Sequence, residues 1–335
     1  MSKQSDAVSF HRRIIKRALG VAWHHKHLWI FGFFAAFSGF GGAYEALFRI
    51  YDRTAGELAV TGGYAGLGLM PGTATMLALI RTSSSPWLAA SIYSVVALLL
   101  LAVFVWVMIM ALGATISGVK AIAKGQDLNF AEALKKASQH FWKILALILG
   151  MKLLTWLSSL VISANLFQLT GAGGPFKGLL FLLSFALFAA LSVVIAMVGI
   201  YAVTAVVDED SPLRAAVRKA WKVFKDNWLV SLEAGLLVLL VQITVMILAI
   251  GALLVLSVPF IFLMLLALMF NLPSMGVAIA VVATIAVVLV LCLLAAYLTV
   301  FQVAVWWQLW QEFGGKGLLA GLERLYHRAK QALKK

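Results

Sequence analysis

Charge is what this sequence has least of. Only 12% of its 335 residues are Asp, Glu, Lys or Arg, about half the share a soluble domain carries. Apolar residues make up 63%, and the mean hydropathy is +1.00. That leaves too little polar surface to cover a globule in water. The shortage is sharpest between Glu233 and Glu312, where no charged residue occurs at all. Cysteine is nearly missing as well. Cys292, the single one, lies in an apolar run, which excludes an intrachain disulfide and a cysteine-built metal site and leaves a small buried or lipid-facing side chain. The chain also lacks a nucleophile–base arrangement, paired carboxylates at catalytic spacing and a metal-ligand motif. No enzyme activity, cofactor or metal is expected.

Apolar blocks fill the sequence instead. A membrane helix needs about 20 mostly apolar residues. Residues 28–47, 87–113, 141–169 and 179–207 each supply them, with Glu45, Lys143 and Lys152 as their only charges. The uncharged stretch after Glu233 completes a fifth span that starts near Trp228 and holds a sixth that starts near Met275. Its short piece 260–270, between Pro259 and Asn271, is too brief to cross. It is expected to extend the fifth helix or to lie at the outer interface.

The basic residues decide the count and the orientation. Lys3, Arg12, Arg13, Lys16, Arg17 and Lys26 precede the first span, and Lys120, Lys124, Lys135, Lys136 and Lys143 follow the second. Arg214, Arg218, Lys219, Lys222 and Lys225 follow the fourth, and Lys316, Arg324, Arg328, Lys330, Lys334 and Lys335 form the tail. Arg49, Arg53, Arg81 and Lys177 fall on the other side, and Lys152 lies within a span. An odd number of spans would strand the basic tail outside, so six are expected, with both termini cytoplasmic in a plasma (inner) membrane. A cleaved leader is the competing reading of the first block, but the basic stretch before it is long, and residues 43–46 make a poor cleavage site. The net charge of +14 would suggest nucleic acid in a soluble protein. Here the cations sit between apolar runs, facing headgroups, and no basic segment is interleaved with aromatics as a strand-binding groove requires. Membrane lipids are the expected partners, anionic headgroups first, with no nucleic acid and with protein partners left open.

A unit recurs along the chain. Ile15, Lys16, Arg17 and Ala18 share the order aliphatic, basic, basic, alanine with Leu134, Lys135, Lys136 and Ala137, and with Val217, Arg218, Lys219 and Ala220. Each run precedes a pair of spans. Phe130, Leu134, Ala137 and Phe141 repeat the spacing of Leu213, Val217, Ala220 and Phe224, which sets each quartet on one helical face; in the first copy His11 takes the position of Phe130. Asn129 followed by Glu132 resembles a capping box, and Ser211 with Pro212 resembles a cap with proline at the first helical position. Trp23 or Trp29, Trp142 and Trp228 mark the membrane boundary of each unit, as interfacial aromatics do. The fold expected is all-α: a polytopic membrane protein of six helices in three hairpins, each preceded by a basic amphipathic interfacial helix. Its parts are a cytoplasmic amphipathic segment at 1–27, hairpin 1 at 28–113, helix plus hairpin 2 at 117–207, helix plus hairpin 3 at 208–311, and a basic tail at 312–335.

Residues 206–229 run Val, Val, Asp, Glu, Asp, Ser, Pro, Leu, Arg, Ala, Ala, Val, Arg, Lys, Ala, Trp, Lys, Val, Phe, Lys, Asp, Asn, Trp, Leu. This stretch resembles the hallmark segment of a bacterial group that includes the membrane domain attached to some glycerophosphodiester phosphodiesterases and the YciC-type inner-membrane proteins. The opening at 27–34 (His, Leu, Trp, Ile, Phe, Gly, Phe, Phe) is similar to the start of relatives in the same group. The resemblance implies a six-span domain and little else, since the phosphodiesterase activity there belongs to a separate soluble domain.

Ionisable residues inside spans are functional candidates. Lys152 and Glu233 are the pair of interest: lysine reaches several ångströms toward an interface, so an intramembrane ion pair between the third and fifth helices is a candidate. Glu45 lies close to water at the outer end of its helix. His24, His25 and His27 are read as interfacial, and the glycine-rich stretches 63–68 and 171–174 as flexible loops, because neither has the strand and helix that frame a phosphate loop. Gln242, Gln302 and the other scattered amides are expected to join helices. Lys16, Arg17, Lys135, Lys136, Arg218 and Lys219 are the candidate contacts for anionic lipid. A non-enzymatic module that organises or senses lipid, or scaffolds partners, is the leading expectation. A transporter of a small or lipid-like solute is the alternative, because internal repeats are common in transporters.

Overall fold

The structure is a computed structural model that describes residues 5–40, 85–126, 129–170 and 175–315. Among the described residues every regular element is helical: α1 (Ser5–His24), α2 (Leu28–Ala35, continued by a π-helical turn at Ala36–Phe40), α3 (Pro86–Ala123), α4 (Phe130–Gln139), α5 (Phe141–Thr170), α6 (Pro175–Glu209), α7 (Leu213–Asp226), α8 (Trp228–Met269) and α9 (Pro273–Gly315). Of these, α3, α6, α8 and α9 are each long and apolar enough to cross a membrane. The α4–α5 pair, bent by 65° across His140, adds a fifth span when taken as one. The first expected span is described only in part, as a short apolar helix at Leu28–Ser38. The rest of that span, the loop 52–84, the glycines at 63–68 and 171–174, and the tail from Lys316 lie outside the described residues.

Local chemistry sets the boundaries. Proline begins α3, where its missing N–H costs nothing. The Asn129 side chain accepts from Ala131 N at 3.1 Å and caps α4, but the other half of the expected capping box is absent: Glu132 instead pairs forward with Lys136 at 2.8 Å. The start of α7 is one residue later than the sequence suggests. Pro212 stands before the first helical residue with extended backbone and no side-chain cap, and its carbonyl accepts from Ala216 N at 2.9 Å. α8 runs unbroken through Pro259 to Met269, so 260–270 extends the fifth helix. Asn271, at φ 51°, then turns the chain into α9; asparagine tolerates this left-handed conformation better than most residues.

Three helices, α3, α6 and α9, touch one another at the centre. Their buried portions are residues 108–119, 201–207 and 298–310. The other long helices lean on this trio: α2 on α3 and α9, α5 on α6 and α3, α8 on α9. Glycine permits the closest approaches. A Cβ on Gly32 of α2 would sit 2.5 Å from the Ala296 carbonyl oxygen of α9, and one on Gly235 of α8 would sit 2.7 Å from Met197 Cε of α6. Gly199 of α6 likewise makes room for Met151 of α5.

The basic helices pack at the same end of the bundle in one recurring way. α4 lies on α3, α7 on α6, and α1 on α9. Each contact is made through small residues four apart: Ala133 and Ala137 in α4, Ala216 and Ala220 in α7, and Ala18 and Ala22 in α1, where Ile14 extends the row. Residues at i and i+4 share a face, so alanine rows bring backbones close rather than burying large side chains. A would-be Cβ on Gly113 of α3 lies 3.0 Å from Ala137 Cβ, which shows how little space separates α3 from α4. Trp23, Trp142 and Trp228 are exposed around this end.

Candidate functional site

The most connected polar cluster is the acidic turn where α6 passes into α7. Asp208, Glu209 and Asp210 each engage a different neighbour. Asp208 has only 9% of its side chain exposed and faces Lys120 of α3 at 3.0 Å. It also accepts from Gln311 Nε2 at 2.7 Å and Trp307 Nε1 at 3.4 Å, both on α9. Lys120 Nζ further donates to the Asp208 carbonyl at 2.6 Å. One carboxylate therefore ties together the ends of all three central helices. Glu209 accepts from Lys219 of α7 through both oxygens, at 2.6 and 2.7 Å, and the same ammonium lies 5.3 Å from the ring centre of Trp310. Asp210 adopts φ 55° and receives Nε2 of the buried His140. Nδ1 of that imidazole meets the Lys136 carbonyl at 2.7 Å. Both ring nitrogens thus face oxygen atoms of the surrounding chain. The turn joins α6 to the α4–α5 corner, α7 and α9.

The six expected lipid-contacting cations, Lys16, Arg17, Lys135, Lys136, Arg218 and Lys219, are all exposed. Two of them are tied internally, Lys136 to Glu132 and Lys219 to Glu209. The Lys136 bond and charge hold the Glu132 carboxyl below its ordinary range. Lys16, Arg17, Lys135 and Arg218 have no ion-pair partner among the described residues.

The apolar faces divide in a way the spacing did not anticipate. Of the quartet on α7, Ala220 is buried, Phe224 is half-buried, and Leu213 and Val217 point outward. Of the quartet around α4, Ala137 is buried, Leu134 and Phe141 are half-buried, and Phe130 is partly exposed while stacking on Phe31 of α2 with ring centres 4.4 Å apart. The bundle thus claims the alanines and leaves the larger residues to its surroundings. Alanines at i and i+4 in each basic helix were the sequence signal for this.

Lys152 is exposed on α5 without an ion-pair partner among the described residues, and Glu233 is half-buried on α8. α5 packs on α6 and α3, whereas α8 packs on α9. Gln242 and Gln302 join α8 to α9, with Nε2 donating to Oε1 at 3.2 Å. Beside them a cavity of about 20 Å³ lies between the central helices, lined by residues including Leu112, Ile116, Val203, Thr204, Gln302 and Trp306. A water requires about 10–15 Å³ by this measure, so the space suits water and is too small for a solute. His24 bonds the Gly20 carbonyl at 2.9 Å, and His25 lies edge-on to His27. Burial, followed by the neighbouring His27 and His24, holds His25 below the ordinary histidine range. Among the described residues no group of His, Cys, Asp or Glu is placed to hold a metal ion. No family model, curated protein or solved structure matches the chain.

Proposed function

We propose that the chain is a non-enzymatic, six-span inner-membrane protein built from three repeated units, with both termini cytoplasmic. Its basic helices organise or sense anionic lipid at the cytoplasmic face, or scaffold partners there. The observation that carries this reading is the packing of the basic helices. α4 docks on α3 and α7 on α6, each on the central helix before it, and α1 docks on α9, which supports three units that follow one another in a ring. Each does so through buried alanines, while cations that have no ion-pair partner among the described residues face outward. Such a helix suits the headgroup layer, with its cations near phosphates. The resemblance to the glycerophosphodiester phosphodiesterase membrane domain and YciC-type proteins agrees with this architecture.

The test is lipid preference of the full chain. Reconstituted in nanodiscs of mixed phosphatidylglycerol and phosphatidylcholine, then stripped with mild detergent, the protein is expected to retain phosphatidylglycerol in excess of its share. Retention in proportion to the mixture would sink the lipid reading. Transport remains the second reading, supported by the Gln242–Gln302 pair beside the central cavity. The small size of that cavity favours the first. A Gln302→Leu variant that abolished uptake of a solute by proteoliposomes would reverse the order.

A further inference from the structure

We infer that α7 is the principal anionic-phospholipid site of this protein. The inference rests on the lipid reading above and assigns it to one helix. Arg214, Arg218 and Lys222 recur every four residues along α7, with Lys225 beside them, and all are exposed. They form a single stripe about 12 Å long from first to third, with no ion-pair partner for any of the four among the described residues. A second stripe lies between this one and the buried alanines: Leu213, Val217 and Trp221, at 36%, 41% and 52% exposure. A soluble polyanion gives such a ridge nothing to bury. A bilayer surface accepts both stripes at once, the apolar one among acyl chains and the basic one among phosphates.

The other two basic helices are less complete. α4 offers Lys135 alone in the matching outward position, because Lys136 is engaged by Glu132, and its Phe130 is spent on Phe31. α1 carries Arg12, Lys16 and Arg17, but Ile15 and Leu19 are partly covered by the bundle. α7 is also held at a fixed height. Ala216 and Ala220 dock it on α6, and Lys219 is anchored to Glu209 and lies over Trp310. The two stripes are therefore presented on a backbone already in place, so that only the side chains need order on binding.

The full chain in nanodiscs of equal parts phosphatidylglycerol and phosphatidylcholine provides the test, with the ratio of lipids retained through purification measured by mass spectrometry. The Arg214→Gln, Arg218→Gln, Lys222→Gln, Lys225→Gln variant is expected to lose phosphatidylglycerol enrichment by about tenfold or more, given roughly fivefold per cation near the surface. A Lys16→Gln, Arg17→Gln, Lys135→Gln control is expected to lose markedly less. Should the fourfold variant fail to fold by circular dichroism, Arg218→Gln with Lys222→Gln takes its place, with a proportionately smaller loss. Trp221→Gln keeps every charge and is expected to lower enrichment as well. Undiminished enrichment in the α7 variants, with the wild type enriched, overturns this assignment and leaves the broader reading standing; no enrichment in the wild type overturns both. Enrichment insensitive to Trp221→Gln but abolished by inorganic tripolyphosphate identifies α7 as a soluble-phosphate site and also overturns it.

Discussion

Asp208 accepts from two helices other than its own while almost covered from solvent. Replacing it with asparagine keeps the shape and removes the charge that Lys120 faces. The loss expected is about 1.5–3 kcal/mol, the range for a hydrogen bond to a charged group, read as a lower midpoint of thermal unfolding in detergent. Lys120→Met alone strands the carboxylate in the same way. The double variant should cost less than the two singles combined, since neither partner is then left as a lone charge. Additive losses would show that the contact does not couple α3 to α6. His25 supplies a pH dependence at the same scale. Its folded form resists protonation because of burial and of His27 and His24, while the unfolded chain protonates at the ordinary value. The unfolded state therefore binds the extra proton first, and stability falls as pH drops through the ordinary histidine range. His25→Gln should flatten that slope in unfolding midpoints measured across the range.

At the scale of elements, the alanine rows determine how near the basic helices lie. Gly113→Val would drive a side chain into Ala137 and Ile144 Cδ1, which stand 3.0 and 3.2 Å from the nearest added carbon. Forcing α4 off α3 should cost about 1–3 kcal/mol. Gly20→Ala, with nothing within 4 Å of the added carbon, should be neutral or stabilising because alanine is the better helix former. An unfolding curve for Gly113→Val matching that of Gly20→Ala would argue against tight docking. These elements were legible in the sequence to different depths. Two spans starting near Trp228 and near Met275 follow from uncharged length, and the helices begin at Trp228 and Pro273. The basic helices follow from their shared motif. The side each presents to the bundle was not legible: periodicity defines an apolar face but not how two neighbours, protein and surroundings, divide it. Val217 and Ala220 illustrate the point, since the spacing groups them and the fold separates them. The acidic turn was visible as the charged break between two apolar runs, yet its partners Lys120, His140 and Gln311 are remote in sequence, and only the tertiary arrangement joins them.

For the whole molecule, the proposed six-span arrangement makes a direct forecast. In a Cys292→Ala background, single cysteines at Lys222 and at Lys330 should react with an impermeant reagent only from the cytoplasmic side, and one at Asn271 only from the opposite side. Labelling of 222 and 330 from different sides would break both the span count and the ring of units. The α8–α9 hairpin carries a separate implication. Its arms have 42 and 43 residues, about 63 Å each at helical rise, against a hydrocarbon thickness of about 30 Å. Tilt, and arm ends that reach past the hydrocarbon into the headgroup layer, absorb much of that excess, and a thicker bilayer covers more of the apolar length that is left. The protein should consequently melt at higher temperature as the acyl chains of its host lipid lengthen, and should collect in the thickest patches of a mixed bilayer.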